Sequence, residues 1–177
     1  FCYIKDCLIF SDSGETRMKI MMIDDERDCM ESLAAALEPA GHHADMFSSP
    51  ADAVTQYAQG KYDVVITDMR MPRMTGIQVL RVIRQIDPQA RVIIMTGYGD
   101  AETAIAAVNN GAYAFFGKPV NIVELIEVLE RVGKEQEQIK LSKAEQERMA
   151  LEYQRLKKAH DEMIKLLDCT RSKKLEG

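Results

Sequence analysis

Short apolar runs alternate along the chain with segments in which apolar positions recur every three or four residues. Two of the short runs, at 64–67 and 91–95, are rich in β-branched side chains, which is typical of buried strands. The longer segments have the period of amphipathic helices. Five strands are predicted, at 19–23, 43–47, 64–67, 91–95 and 114–116. Such alternation predicts five βα units and therefore a parallel sheet with helices on both faces.

Local signals mark where several of these helices begin and end. Ser49 followed by Pro50 predicts a helix start, with serine as the cap and proline in the first turn. Gly41 predicts the end of the first helix, which begins after the first strand. The Asn110-Gly111 pair predicts the end of the helix that follows the fourth strand.

Polar residues stand where four of the predicted strands end. Asp24 and Asp25 follow the first strand, Asp68 the third and Thr96 the fourth, and the fifth runs into Lys118. Because the carboxyl ends of parallel strands lie along one edge of the sheet, these residues are predicted to meet in one pocket. A single strand-end aspartate is usually a helix cap, and a single Lys-Pro pair is usually a turn. The repetition at successive strand ends favours a functional site over these structural roles.

The charges of this pocket indicate its chemistry. Carboxylates held close together repel one another, so their ionised forms need a cation nearby. Mg²⁺ is a suitable cation, since it binds through one or two carboxylates together with phosphate oxygens. Lys118 adds an ammonium group and Thr96 adds a hydroxyl donor. A carboxylate nucleophile with a metal ion, an ammonium and a hydroxyl is suited to phosphoryl transfer to an aspartate.

Four segments carry a resemblance to a known family. They are IMMIDDE, VVITDMRMPRMTGIQVL, VIIMTGYGD and GAYAFFGKPV. Over residues 18–132 the chain resembles the receiver domain of two-component response regulators, and most of all receivers of the nitrogen-regulator type. The resemblance implies a doubly wound, flavodoxin-like α/β fold with five parallel strands in the order 2-1-3-4-5. It also implies a signalling switch that catalyses only its own phosphorylation and dephosphorylation, with a sensor histidine kinase as its partner.

The same resemblance implies roles for individual residues. Asp68 is the expected phosphoacceptor. Mg²⁺ is the expected cofactor, bound directly by Asp25 and Asp68, through water by Asp24 and by the backbone carbonyl of Arg70. Arg70 and Tyr98 occupy positions that tune the lifetime of the phosphoryl group, and their bulk predicts a long-lived phosphorylated form.

The resemblance further implies a conformational switch beside the phosphoacceptor. Thr96 and Lys118 are expected to hold the phosphoryl oxygens, and Phe115 occupies the position of the switch aromatic. The peptide bond between Lys118 and Pro119 is expected to be cis, because X-Pro bonds are the common site of cis peptides.

Proline disappears from the C-terminal quarter of the chain, which is rich in charged residues. This change predicts a receiver domain at 18–132 and a helical extension at 133–177. The long C-terminal α-helix is expected to begin near Ile122 and to continue through Gly133. Residues 1–17 match no pattern that follows and are expected to be an N-terminal extension or leader.

A seven-residue repeat in the extension favours a coiled coil. Its apolar core positions are Met149, Leu156, Met163 and Leu167. The seam also contains Gln146, Tyr153 and His160, which are expected to weaken it. An identical chain is the simplest partner for such a stripe, which predicts a parallel homodimer. A partly frayed helix that links the receiver to a further domain is the alternative.

Composition narrows the possible partners. Hydrophobic residues make up 46% of the chain and charged residues 29%, which is typical of a protein with an apolar core. The net charge of -5 argues against direct binding to nucleic acid. No apolar run is long enough to span a membrane. The four cysteines are scattered, which favours reduced thiols and a cytoplasmic location.

Two functional hypotheses therefore remain open. The chain is either a phosphorylation-controlled switch for a dimer or partner, or the input fragment of a longer transcription activator or signalling enzyme. A non-catalytic assembly module is a third hypothesis, which the complete set of acidic, Thr and Lys residues disfavours.

Overall fold

A computed structural model describes residues 17–97 and 101–174, with side chains described as far as Ile164. Five strands and five α-helices alternate within these ranges. The strands are β1 (Lys19–Ile23), β2 (His43–Phe47), β3 (Val64–Asp68), β4 (Val92–Thr96) and β5 (Ala114–Gly117). The helices are α1 (Arg27–Leu37), α2 (Pro50–Gln56), α3 (Gly76–Ile86), α4 (Ala101–Asn109) and α5 (Ile122–Lys174).

The five strands form one parallel sheet in the order β2-β1-β3-β4-β5. Every residue of β3 and β4 is buried, because helices cover both faces of the central strands. The predicted doubly wound fold and its strand order are confirmed. The order reverses between β1 and β3, so the carboxyl ends of these two strands flank the crevice where such sheets bind ligands.

Two apolar layers, one on each face, hold the sheet and the helices together. The layer beneath α2, α3 and α4 includes Met21, Val65, Leu80, Ile83 and Ile94. The layer beneath α1 and the first turns of α5 includes Ile20, Leu33, Ile66, Leu125 and Leu129. Successive side chains of a strand point to opposite faces, so neighbouring residues such as Ile20 and Met21 join different layers.

The predicted helix starts and ends agree with the structure, except for the end of α1. Ser49 caps α2 by accepting a hydrogen bond from the amide of Asp52 at 3.3 Å. Gly41 adopts the left-handed conformation, with φ of 78°, but α1 itself ends earlier, at Leu37. A 3-10 turn over Glu38–Ala40 fills the gap. Its Pro39 has no amide hydrogen and cannot continue the α-helical bonding pattern.

The predicted ends of β3, β4 and β5 are each one residue too early, and β4 begins at Val92 rather than at the predicted residue 91. Asp68 pairs with Met95, and Thr96 pairs with Gly117, so both polar residues are the last residues of their strands. We had expected them to be the first residues beyond. The ladder holds them at fixed positions, because each lies inside the parallel hydrogen-bonding pattern.

The chain divides into two compact units, with the division between Gly133 and Lys134. Helix α5 is assigned on both sides of this division, which confirms the predicted long helix through Gly133. None of the helices in the described ranges combines the length and the apolar character that crossing a membrane requires.

Candidate functional site

Two acids and one base from distant parts of the sequence meet at the carboxyl edge of the sheet. The Nζ atom of Lys118 lies 2.7 Å from Oδ2 of Asp24 and 2.6 Å from Oδ1 of Asp68. Asp24 and Asp68 are only 1% and 6% exposed, and Thr96 beside them is 1% exposed. Asp25 is exposed next to this group. The structure thus brings residues 94 positions apart into direct contact.

The end of β4 positions Lys118. The amide of Lys118 donates a hydrogen bond to the carbonyl oxygen of Thr96 at 2.7 Å, immediately after the Thr96–Gly117 pair of the ladder. The Lys118–Pro119 peptide bond is cis, as predicted. The Lys118 side chain is directed into the acid pair rather than towards solvent.

Backbone amides fix the two carboxylates. The amide of Arg70 donates to Oδ2 of Asp68 at 2.6 Å, and the amide of Glu26 donates to Oδ1 of Asp24 at 2.9 Å. The backbone amide of Asp24 in turn donates to the carbonyl of Phe47 on β2 at 3.2 Å. Each carboxylate therefore has one oxygen on a backbone donor and the other oxygen on Lys118.

Gly76 lets α3 begin directly against the end of β3. Its amide donates to the carbonyl of Met69 at 3.0 Å. A Cβ atom on Gly76 would lie 2.5 Å from the backbone oxygen of Asp68, closer than real Cβ contacts come. Thr75 caps α3 in a capping box with Gln78. The helix start and the candidate phosphoacceptor thus share a contact that only glycine permits.

The electrostatics of the pocket keep Lys118 charged. Burial alone lowers the pKa of an ammonium, but the hydrogen bonds and charges of Asp24 and Asp68 outweigh it, and the pKa of Lys118 is raised. Two carboxylates face this one ammonium. The remaining negative charge suits an added cation, and Asp25 lies nearby to contribute a further carboxylate.

The donor set fits Mg²⁺. Asp24 and Asp68 supply two fixed carboxylates, and Mg²⁺ usually takes only one or two from the protein. No three Asp, Glu, His or Cys side chains of the described ranges come together as a ready-made metal group. Lys118 bridges Asp24 and Asp68 instead, and Asp24, Asp25 and Asp68 are the carboxylates that would hold a cation beside it.

Phe115 lies on the same face of the sheet as Thr96. Phe115 pairs with Ile94 across the ladder, and Ile94 and Thr96 are two residues apart on β4, which places all three on one face. The ring is half-buried against the apolar layer beneath α3 and α4. Arg70 is exposed beside Asp68, and the prediction for Tyr98 lies outside the described residues.

Sequence reasoning missed two residues near the pocket. Gly76 carried a readable signal, a glycine directly after a capping threonine, but its contact with Asp68 depends on tertiary structure. Cys29 is half-buried in the first turn of α1. Burial raises the pKa of its thiol, with the Lys118 ammonium acting in the opposite direction and Asp24 adding to the increase.

Comparison with known proteins decides the family. The sequence model described as the response regulator receiver domain matches residues 20–130. This chain belongs to that family.

Regulators of transcription are among its relatives. The receiver is 35% identical over 112 residues to the C4-dicarboxylate transport transcriptional regulatory protein DctD of Rhizobium meliloti (strain 1021), covering 63% of this chain and 24% of the relative. It is 34% identical over 112 residues to the DNA-binding transcriptional regulator NtrC of Escherichia coli (strain K12), with the same coverage. The chain thus spans about a quarter of the length of these relatives.

Solved receiver structures match the same part of the chain. A response regulator receiver domain from Clostridium thermocellum has 34% identity and a TM-score of 0.65, covering 68% of this chain and 98% of that one. The beryllofluoride-activated NtrC4 receiver domain dimer has 29% identity and a TM-score of 0.62, covering 66% and 97%. The nitrogen-regulator resemblance and the fold are therefore confirmed.

Replacing Lys118 by alanine is expected to lower the free energy of unfolding at pH 7 by about 3 kcal/mol in EDTA, because Asp24 and Asp68 then lose their shared cation. The pKa of Lys118 is raised in the folded state, so the stabilisation by its charge is fully present below the unfolded value of about 10.4. The stabilisation is lost only as pH rises from that value through the higher folded-state pKa, so the effect is complete at pH 7. Urea denaturation provides the measurement. A Lys61→Ala control changes an exposed lysine far from the pocket. Equal stability of Lys118→Ala and the parent would contradict the bridging role.

Proposed function

We propose that Asp68 accepts a phosphoryl group from a sensor histidine kinase in a Mg²⁺-dependent reaction. The observation that carries the proposal is the buried Asp68 carboxylate, which is fixed between the Arg70 amide and the Lys118 ammonium. Accepting a phosphoryl group is the function of the receiver family. Intact-mass measurement after incubation with acetyl phosphate tests the assignment to Asp68.

The chain's own residues supply positioning and charge. An Asp68 carboxylate oxygen forms the new bond to phosphorus as the bond from phosphorus to the donor nitrogen breaks. Mg²⁺, held by Asp24, Asp25, Asp68 and the Arg70 carbonyl, would neutralise charge on the transferred group. The chain contributes little to catalysis besides this positioning and charge neutralisation. It catalyses only its own phosphorylation and dephosphorylation.

The phosphoryl group changes the charges that hold the pocket. It adds about -1.5 to -2 charge next to Lys118, and its oxygens offer new acceptors to Lys118 and to the Thr96 hydroxyl. Movement of Thr96 towards the phosphoryl group frees space on the face that it shares with Phe115. The Phe115 ring then turns inward, and the surface of α4 and β5 changes. Phosphorylation shifts the balance between two existing states rather than creating a new one.

Bulky side chains near Asp68 would slow loss of the phosphoryl group. Arg70 is exposed two residues after Asp68 and flanks the approach of water. Tyr98, which follows Thr96 by two residues in the sequence, would act in the same way. The scattered cysteines favour a reducing compartment, so we place the transfer in the cytoplasm.

The second candidate function is that of one part of a longer regulator. The similarity to DctD and NtrC supports a role as the input portion of a transcription activator, with the C-terminal helix leading to an output domain. The net charge of -5 still argues against nucleic-acid binding by these residues themselves. A non-catalytic assembly module would leave Asp68 unlabelled by acetyl phosphate.

We further propose a homodimer formed through a coiled coil in α5. Met149, Leu156 and Met163 are 71%, 65% and 54% exposed, although they recur at one heptad position. The predicted fourth core residue, Leu167, has a side chain outside the described residues. A helix with such an apolar stripe gains stability mainly by packing it, and an identical helix provides a matching stripe.

Removal of the C-terminal segment is expected to abolish or strongly weaken this dimer. Light scattering should give a dimer for residues 18–177 and a monomer, or a much weaker dimer, for residues 18–132. The two proteins are compared over the same range of concentrations, and circular dichroism checks that the shorter one is folded. Identical masses for both at every concentration would contradict the coiled-coil dimer and favour the linker hypothesis.

A further inference from the structure

Charged residues of opposite sign flank the apolar stripe of α5. The stripe consists of Met149, Leu156 and Met163 at heptad position d, with Tyr153 at position a. The acidic residues Glu145 and Glu152 lie at position g, and the basic residues Lys143 and Lys157 lie at position e. All of them are exposed in the single chain. The two edges of the stripe therefore carry opposite charge.

This separation of charge favours one orientation of a paired helix. In a parallel pair, position g of one helix faces position e of the other, and the e and g charges set partner choice and orientation. Acidic g residues then meet basic e residues. In an antiparallel pair, g faces g and e faces e, so glutamates would face glutamates and lysines would face lysines. The charge pattern thus disfavours the antiparallel alternative.

We propose that α5 pairs with α5 of a second copy in a parallel, in-register coil, in which Glu152 forms an ion pair with the partner's Lys157. The inference rests on the proposed homodimer. It adds the register and the ion pair, and it gives a reason in charge for the predicted parallel orientation. Closed two-fold symmetry requires the same register in both copies, so the ion pair occurs twice.

The remaining g–e contacts of this register are compatible with the proposal. Gln138 faces the partner's Lys143, and Glu145 faces the partner's Ala150, so neither contact opposes like charges. Ala159 faces the partner's Ile164, which widens the apolar seam beside Met163.

The parallel orientation has a consequence for signalling. In a parallel coil, both chains run from the receiver into the same end of the coil. A change at one receiver would then act on a coil that it shares with the other. An antiparallel coil would put the two receivers before opposite ends.

Charge reversal tests the ion pair. Glu152→Lys should raise the dimer dissociation constant about tenfold, because two attractive contacts become repulsive. Glu152→Lys combined with Lys157→Glu should return it to within about twofold of the parent. Glu147→Lys is the matched control, since it makes the same change of charge on the same helix at a position outside e and g. Analytical ultracentrifugation of the full chain measures the dissociation constants of the parent and the three variants.

The double variant decides between pairing and a general charge effect. Recovery in the double variant, with Glu147→Lys near the parent value, supports the proposal. Equal weakening by Glu152→Lys and Glu147→Lys, or a double variant as weak as the single one, overturns it. At about 1 M salt the difference between the single and double variants should shrink, because screening shortens the reach of the charges to about 3 Å.

Disulfide trapping tests orientation separately. In a parallel, in-register coil, Met149→Cys and Met163→Cys should each form a homodimer on mild oxidation, because each cysteine meets its own copy. In an antiparallel coil, position d of one helix packs against position a of the other, so neither variant would crosslink with its own copy. The unsubstituted chain measures the background from its native cysteines. A dimer in which neither variant crosslinks with its own copy overturns the parallel orientation but keeps the homodimer, whereas a monomer under all conditions overturns the homodimer itself.

Discussion

Replacing Asp68 by asparagine is expected to abolish the gain of one phosphoryl mass when the protein is incubated with acetyl phosphate and Mg²⁺. Asparagine keeps the shape and accepts the same hydrogen bond from the Arg70 amide, so the pocket should remain intact. Its neutral amide is a poor nucleophile and cannot form the acyl phosphate. Labelling should therefore fall by about 100-fold or more. Intact-mass measurement over time provides the readout.

Two controls make this result specific. Asp52→Asn changes an exposed aspartate in the first turn of α2 and should label like the parent. The parent protein in EDTA should lose labelling as well, because Asp24 and Asp68 then face the incoming phosphoryl group without a divalent cation. A mass gain in Asp68→Asn equal to that of the parent would contradict the phosphoacceptor assignment. Full labelling in EDTA would contradict the Mg²⁺ requirement.

Much of the fold follows from local pattern. The sequence pattern predicted β1 and β2 to the residue, at Lys19–Ile23 and His43–Phe47. At β3 and β4 the same reasoning stopped one residue short. A polar side chain reads as the end of an apolar run, yet the backbone of Asp68 and Thr96 still pairs across the ladder. Backbone hydrogen bonding in the ladder does not depend on whether the side chain of the same residue is polar or apolar.

Less of the candidate site than of the fold could be predicted from the sequence. Topology predicted that Asp24, Asp68, Thr96 and Lys118 lie on one edge, but not which atoms touch. We expected a metal ion to relieve the repulsion of the acids, and the structure shows Lys118 already bridging two of them. Such a contact depends on the path of the chain after β5. Periodicity carries no information about that path.

The C-terminal helix shows a different limit. Its heptad pattern predicts an apolar stripe, and the stripe is exposed in the single chain. Exposure does not by itself identify a partner. The charges at positions e and g carry that additional information, because they differ between the two possible orientations of an identical helix.

Gly76→Ala is expected to destabilise the receiver although it places a better helix former in α3. Alanine in place of glycine within a helix would by itself stabilise by about 1 kcal/mol. Here the added Cβ would lie 2.5 Å from the backbone oxygen of Asp68 and 3.2 Å from Cα of Met69. These are backbone atoms of a buried strand end, so no flexible side chain can move aside. Overpacking of this kind costs about 1–3 kcal/mol. After the gain in helix propensity is subtracted, we expect a net loss of about 1 kcal/mol in urea denaturation.

The same substitution should impair phosphorylation, because relief of the clash requires α3 or the end of β3 to move. Displacement of a reacting group by about 1 Å can slow a reaction by roughly 100-fold, so labelling of Asp68 by acetyl phosphate should slow well beyond any loss of folded protein. Gly97→Ala is the matched control, since a Cβ there meets nothing within 4 Å, and its stability should stay near that of the parent. The sign of the change in stability of Gly76→Ala decides between steric overlap and helix propensity as the larger effect. A more stable variant with normal labelling would show that helix propensity prevails and that α3 does not fix the position of Asp68.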